Sequence, residues 1–269
     1  MTSRSRDAAS PRPGGGAEPA PVCVWMSAGV MCYWLCPRGF DCEGCVLDRI
    51  LSGRDPVDPA PQAEGEGDTV LHDVEHGPLA ALGVPLRRRR GLWYHPLHLW
   101  GRTMGPTRVR LGLDDVAARL LADAEPWSLP PVGSTLQDGR PLARTRVHGQ
   151  AVQIASPLSG RVLARNDGLR RFPSLASWSP YDAGWLVELA VETPIGALGG
   201  FMRDDAVVSH WFERELHHLA ACAPEASRGE LGETLADGGA PCATLQQALG
   251  AEGLHAALRA IMPHAVPGP

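Results

Sequence analysis

Between residues 92 and 192, apolar and polar positions alternate in short runs, which is the pattern of half-buried β-strands. Glycine turns follow one another closely between these runs and favour a compact antiparallel sandwich or barrel. The clearest runs are 109–113, 152–155 and 185–189, and the turns are at Gly133, Asp138-Gly139, His148-Gly149, Ser159-Gly160 and Asp167-Gly168. The sequence therefore predicts a mainly β domain.

Three segments instead place apolar residues at three- and four-residue intervals, the spacing of one helical face. One follows Asp114-Asp115, one begins after Asp204 or Asp205, and one runs from Thr244 to Ile261. The aspartates suit a first turn because a carboxylate there caps free backbone N–H groups. The predicted apolar positions are Val116, Leu120, Leu121, Val208, Trp211, Phe212, Leu216, Leu219, Leu245, Leu249, Leu254 and Leu258. These helices are expected at the periphery of the sandwich.

Composition divides the chain into five predicted segments. Residues 1–21 are rich in Pro and Gly and predict a disordered tail, whereas 22–52 hold five of the 7 cysteines. Residues 53–91 resemble a linker, and the run from Arg87 to Arg90 within them is interpreted as a solvated charge run. Residues 92–222 form the predicted domain with its C-terminal helix, and 223–269 a loop and terminal helix.

The chain contains no lysine, because all 25 of its Lys and Arg residues are arginines. An arginine guanidinium stays protonated, so every role that needs an alkyl amine as nucleophile is excluded. The net charge of -5 favours neither nucleic acid nor anionic membrane as a partner. No signal peptide and no apolar stretch of about 20 residues is present, so a cytoplasmic protein is expected.

Six short segments resemble, in order, the H-protein of the glycine cleavage system, over about 100 residues. They are His98-Leu99-Trp100, residues 109–115, Leu129-Pro130-Pro131-Val132-Gly133, Ser156-Pro157-Leu158-Ser159-Gly160 with Val162 and Asn166, Pro173 with Leu175, and Pro180-Tyr181-Asp182-Ala183-Gly184-Trp185-Leu186. The resemblance implies a lipoyl-carrier fold, a barrel-sandwich hybrid of two small sheets with peripheral helices.

In that family a lipoylated lysine lies in a hairpin, seven residues before the serine of Ser-Pro-x-Ser-Gly. Its arm would carry an aminomethyl group from a glycine-decarboxylating enzyme to a folate-dependent one. The matching position here is Gly149, between His148 and Gln150, and Arg146 replaces the family's preceding acid. The resemblance together with the missing lysine therefore predicts an H-protein-like module without lipoate.

Cys23, Cys36, Cys42 and Cys45 are separated by twelve, five and two residues. Four thiolates suit either zinc or an iron-sulfur cluster, and Cys42-Glu43-Gly44-Cys45 has the spacing of a metal-binding turn. The segment is also similar to a cysteine-rich leader that precedes some bacterial H-protein-like domains. The alternatives are free thiols or a redox-sensitive pair in a reducing compartment.

These features predict a protein-interaction adaptor, with a protein partner or an enzyme complex as its target. The second hypothesis is a redox or zinc-switch component that uses the four cysteines. An enzyme is the least favoured class, because the sequence holds no nucleophile elbow, P-loop, His-Glu-x-x-His or dinucleotide fingerprint.

Overall fold

The computed structural model describes residues 23–27, 42, 43, 45, 48, 52, 68–70, 86–223 and 245–263. The strands are β1 Asp68–Val70, β2 Arg87–Arg89, β3 Trp93–His95, β4 Leu99–Gly105, β5 Arg108–Leu113, β6 Thr135–Leu136, β7 Pro141–Val147, β8 Gln150–Ala155, β9 Gly160–Arg165 and β10 Val187–Ala190. The α-helices are α1 Val24–Ser27, α2 Asp115–Leu120, α3 Gly168–Arg171, α4 Leu175–Trp178, α5 Asp205–Ala221 and α6 Leu245–Ile261.

Six strands form one antiparallel sheet in the order β3-β4-β5-β10-β9-β6, and β7 pairs with β8 in a separate hairpin. The inward residues of the hairpin, Leu142, Val152 and Ile154 among them, belong to the same hydrophobic cluster as the inward residues of the large sheet. Burying both faces against each other is what alternating strands require. The prediction of a mainly β, two-sheet sandwich with peripheral helices is therefore confirmed.

The helices begin where the sequence places a capping carboxylate. An Asp114 side-chain oxygen accepts from the Ala117 backbone N–H at 2.9 Å, and Asp204 accepts from Ala206 and Val207 at 3.0 and 3.1 Å. Each bond satisfies a donor that the first helical turn leaves without an intrahelical partner. The predicted apolar face of α5 is buried, as are the predicted leucines of α6. The short helices α3 and α4 were not predicted.

Helix α6 covers α2 and α5 at the edge of the sandwich. The buried Gln246 side chain donates to the Leu120 carbonyl, the last residue of α2, at 3.0 Å. The continuous helix predicted for this segment is wrong in one respect, because Gly250 has a φ of 64° and interrupts the helical backbone. Glycine tolerates this left-handed conformation, so α6 kinks there and still packs on both neighbours.

The arginine run is part of the folded unit, and the interpretation of a solvated charge run is wrong. Arg88 is only 4% exposed and its guanidinium lies 2.5 Å from Asp205, at the start of α5. Arg89 donates to both carboxylate oxygens of Asp182, at 2.5 and 2.8 Å. With Leu86 also buried, the run is a clamp that holds β2 against α5 and the loop before β10.

Among the described residues, no helix has the length and hydropathy to cross a lipid bilayer.

Candidate functional site

The β7–β8 hairpin is the element in which the resemblance places the carrier lysine. Its strands pair from Pro141 with Ala155 to Val147 with Gln150, and only two residues connect them. His148 and Gly149 have φ values of 48° and 79°. Two consecutive residues with positive φ are typical of a type I′ turn, whose twist matches that of the flanking strands. The hairpin tip is therefore short, tightly turned and directed to solvent.

The outer face of the hairpin carries arginines. Arg144 and Arg146 are exposed, whereas Thr145 and Val147, which alternate with them, are buried. The Arg144 Nε donates to Gln153 Oε1 at 3.0 Å, and an Arg146 Nη donates to the Gly149 carbonyl at 3.0 Å. Neither contact neutralises a guanidinium, so the exposed strand face presents positive charge beside the turn.

Acidic side chains lie at one flank of this tip. The His148 ring is 3.4 Å from Asp123, and both side chains are largely exposed. Glu125 is also exposed, and its backbone N–H donates to the Arg146 carbonyl at 2.8 Å. The hairpin therefore offers hydrogen-bonding groups of both signs on a rigid backbone, which is suited to recognition of another protein.

Covalent lipoate does not fit this hairpin. A Cβ built on Gly149 meets nothing within 4 Å, so space for a side chain is present. However, the φ of 79° strains any residue other than glycine, and the chain has no lysine to supply the amine. The nearby nitrogen groups are guanidinium and imidazole, which do not form the stable amide that holds a lipoyl arm.

The other residues that carry the resemblance hold the scaffold together. Trp100 Nε1 donates to the Pro180 carbonyl at 3.0 Å, and the Ser156 hydroxyl donates to the Leu158 carbonyl at 2.7 Å. The buried Asn166 amide donates to the carbonyls of Ala183 and Trp185 at 2.7 and 2.8 Å. The bonds of Trp100 and Asn166 connect segments that are distant in the chain, and the Ser156 bond fixes the local turn before β9. Together they satisfy carbonyls that the fold removes from solvent, which explains why the motif accompanies the fold.

A buried histidine with two carboxylates was missed at the level of sequence, where His98 was assigned only to a strand motif. His98 lies in the turn between β3 and β4 with a φ of 58°, and it is 1% exposed. Its Nδ1 is 2.8 Å from Asp114 Oδ2, and its Nε2 is 3.9 Å from Glu215 Oε2. The Trp211 ring lies against it, 5.1 Å between centroids. Only the fold brings these four residues together.

The charges of this cluster explain its protonation. Burial alone would lower the pKa of His98, but Asp114 and Glu215 favour the charged ring and raise that pKa to about 9. Burial would raise the pKa of Glu215, yet His98 and His218 together hold it below its usual value. The cluster therefore holds an imidazolium between two carboxylates and connects the β3–β4 turn to α2 and α5.

The cysteine segment is described only in part. Cys23 is buried, Cys42 and Cys45 are half-buried, and Cys36 lies outside the described residues. The Cys45 N–H donates to the Cys42 carbonyl at 3.0 Å, which is the turn that the spacing predicts. Within the part of the chain that the structure describes, no three His, Cys, Asp or Glu side chains lie close enough to share one metal ion. The four-cysteine site stays a prediction.

Comparison with known proteins agrees with the fold. The family model described as glycine cleavage H-protein matches residues 92–208. A glycine cleavage system H protein of Myxococcus xanthus is 37% identical over 103 residues, covering 38% of this chain and 79% of the relative. Another, from Mycolicibacterium smegmatis, is 34% identical over 113 residues, covering 41% and 86%.

A solved glycine cleavage system H protein from Mycobacterium marinum has 22% sequence identity and a TM-score of 0.39, covering 45% of this chain and 96% of its own. The relatives from Myxococcus and Mycolicibacterium are covered over most of their own length at more than 30% identity. This chain therefore belongs to the glycine cleavage H-protein family.

Proposed function

We propose that this protein is an H-protein-like adaptor, which binds protein partners through the sandwich without carrying lipoate. The observation that supports the proposal is a contrast between the buried core and the hairpin tip of one domain. The buried bonds of Trp100 and Asn166 that maintain the fold are all present, whereas the hairpin ends in His148 and Gly149 in a chain without lysine. A rigid scaffold without its reactive group is still able to bind.

The family consists of carriers rather than catalysts, which agrees with the prediction that this chain is not an enzyme. We propose an enzyme of the glycine cleavage system, in the cytoplasm, as the first partner to examine. Residues 86–223 contain more arginines than carboxylates, although the net charge of the whole chain is -5. The folded module is thus basic, and we expect it to dock on an acidic protein surface.

The hairpin is the part of the module that we expect to make this contact. Arg144 and Arg146 stand on its exposed face and pair with no carboxylate among the described residues, on a backbone fixed by six register pairs. Desolvating guanidinium groups against carboxylates on a partner yields charge-assisted, often bidentate hydrogen bonds. Such contacts favour one partner and one orientation over others.

The test is co-purification of the tagged full chain from its native cell, with the partner identified by mass spectrometry. We expect the double variant Arg144→Gln, Arg146→Gln to lose the partner, because the hairpin then lacks its exposed charges. The matched control is Arg170→Gln, Arg171→Gln, which removes two exposed arginines from α3 and should keep the partner. Equal recovery with both variants, or a lipoyl adduct in the intact mass of the natural protein, would contradict the proposal.

We further propose that Cys23, Cys36, Cys42 and Cys45 hold one metal, zinc or an iron-sulfur cluster, and give the adaptor a second contact. The Cys42–Cys45 turn supports this proposal, as does the packing of Trp25 and Cys45 against the core cluster. Elemental analysis of protein purified without air should find metal in the natural chain and none in Cys42→Ser, Cys45→Ser. An iron-sulfur absorption spectrum would favour the redox alternative, whereas zinc alone would favour the adaptor.

A further inference from the structure

A cavity of about 370 Å³ lies where the β3–β4 turn and the end of β8 meet helices α5 and α6. Most of its walls come from residues beyond position 208, where the match to the family model ends. The cavity is therefore formed mainly by this chain's two C-terminal helices, and it is distinct from the hairpin tip. Its volume falls in the range of small-molecule sites.

The walls of the cavity are mainly apolar. Ile154, Trp211, Ile261 and Met262 line it and are each less than 5% exposed, and Leu97 completes this surface. An aliphatic or aromatic group in this recess makes packing contacts along the apolar lining, which sets the chemistry of one end of the occupant.

Three polar side chains of α5 line the same cavity: Arg214, Glu215 and His218. Glu215 is 10% exposed and faces the buried His98 imidazole, whose Nε2 lies 3.9 Å from the carboxylate and makes no hydrogen bond to any described residue. Arg214 and His218 touch Glu215 only at 3.4 Å, and their side chains are 55% and 52% exposed. Both contacts are long enough that the two side chains could turn to another acceptor.

The balance of charge then favours an anion. His98 lies between Asp114 and Glu215, so its single positive charge is shared by two carboxylates. Arg214 and a protonated His218 add two positive charges, which exceed the remaining negative charge by one. Arg214 and His218 remain at the rim with only weak contacts to the Glu215 carboxylate. A ligand carboxylate placed between them would accept hydrogen bonds from both, whereas a ligand ammonium would face two cationic or hydrogen-bond-donating groups.

We propose that this cavity binds a small monocarboxylate with an apolar body, its tail against Trp211 and Met262 and its carboxylate between Arg214 and His218. The site is independent of the adaptor role, because none of its lining residues belongs to the β7–β8 turn or to the outer arginine face. It would give the α5–α6 addition a function that the sandwich alone cannot provide.

The experiment compares three probes with the same tail: hexanoate, hexanol and hexylammonium, titrated into the full chain by calorimetry. We expect saturable one-to-one binding of hexanoate, weaker binding of hexanol and the weakest binding of hexylammonium. The methyl group of Met262, assigned in a carbon-correlated NMR spectrum with the help of Met262→Leu, should shift with hexanoate. Equal affinity for the three probes, or no binding of hexanoate, would overturn the proposal.

Variants test the position of the ligand. Arg214→Gln and His218→Gln should each weaken hexanoate binding about tenfold, because each removes one hydrogen bond to a charged group. His210→Gln, on the same helix but 82% exposed and outside the cavity, should leave the affinity unchanged. Ala260 is exposed and lines the cavity, so Ala260→Phe should fill it and abolish binding while the thermal midpoint stays the same. Unchanged affinity in Ala260→Phe would place the ligand elsewhere.

Discussion

The β7–β8 hairpin and the six-stranded sheet are two parts of one domain, and they differ in how much their residues are constrained. At Gly149 a Cβ meets nothing within 4 Å, whereas at Gly112 in β5 it would lie 2.5 Å from the Trp100 ring. The sheet residues are buried and bonded to distant segments, while the hairpin tip faces solvent. The module can thus lose its carrier residue without losing its fold, because the carrier position is in the exposed hairpin tip and the packing that maintains the fold is in the sheet.

The largest expected effect comes from a substitution in the six-stranded sheet. Gly112→Val should lower the free energy of unfolding by about 3 kcal/mol, because the new side chain overlaps the buried Trp100 indole. The measurement is urea unfolding followed by tryptophan fluorescence. The control is Gly105→Ala in β4, where a Cβ meets nothing within 4 Å, and which should change the free energy by less than about 0.5 kcal/mol. A small effect at Gly112 would show that the sheet is not the constrained region.

The free energy of unfolding should depend on pH through the buried cluster around His98. The pKa of His98 is raised from 6.5 to about 9 in the folded protein, so its stabilising effect is complete below pH 6.5 and is lost as pH rises towards 9. We expect the free energy of unfolding to fall by roughly 2 to 3 kcal/mol across this interval. His98→Asn, which tolerates the positive φ, should flatten the profile, and the exposed His210→Asn should not. A profile of the natural protein that is already flat would exclude the imidazolium.

A smaller effect is expected from the amide that joins β9 to the loop before β10. Asn166→Ala should lower the free energy of unfolding by about 2 kcal/mol, because the carbonyls of half-buried Ala183 and buried Trp185 lose a donor. Gln153→Ala removes an amide from the hairpin face and should cost less than about 0.5 kcal/mol. Thermal and urea unfolding of both variants provide the comparison, and equal losses would contradict it.

The smallest effect concerns the hairpin tip itself. Gly149→Lys should fold and lose only about 1 kcal/mol, the cost of a positive φ in a residue with a Cβ. Gly149→Asn should lose less, since asparagine adopts this conformation more readily. Urea midpoints of the two variants test this order. A loss above about 3 kcal/mol for lysine would mean that the tip is packed as tightly as the sheet.

The sandwich and its helices were largely predictable because local patterns dictate them. The alternation of apolar and polar residues predicted β5 and β8. Asp114 and Asp204 predicted where α2 and α5 begin, because their side chains bond to backbone N–H groups two or three residues further along the chain. The short helices α3 and α4 were missed because a single turn carries too little periodicity. The arginine run was misinterpreted because its acidic partners, Asp182 and Asp205, are 93 and 117 residues away in the chain.

The sequence by itself determined that no lysine can hold a lipoyl arm, since a residue type that the chain lacks is missing from every site of any fold. It also determined the family, through six motifs in order. Only the tertiary structure decided that His98 lies between Asp114 and Glu215, that Arg88 is buried, and that α5 and α6 close a cavity against β8. Burial and long-range contacts depend on the packed arrangement of all elements, which local patterns do not encode.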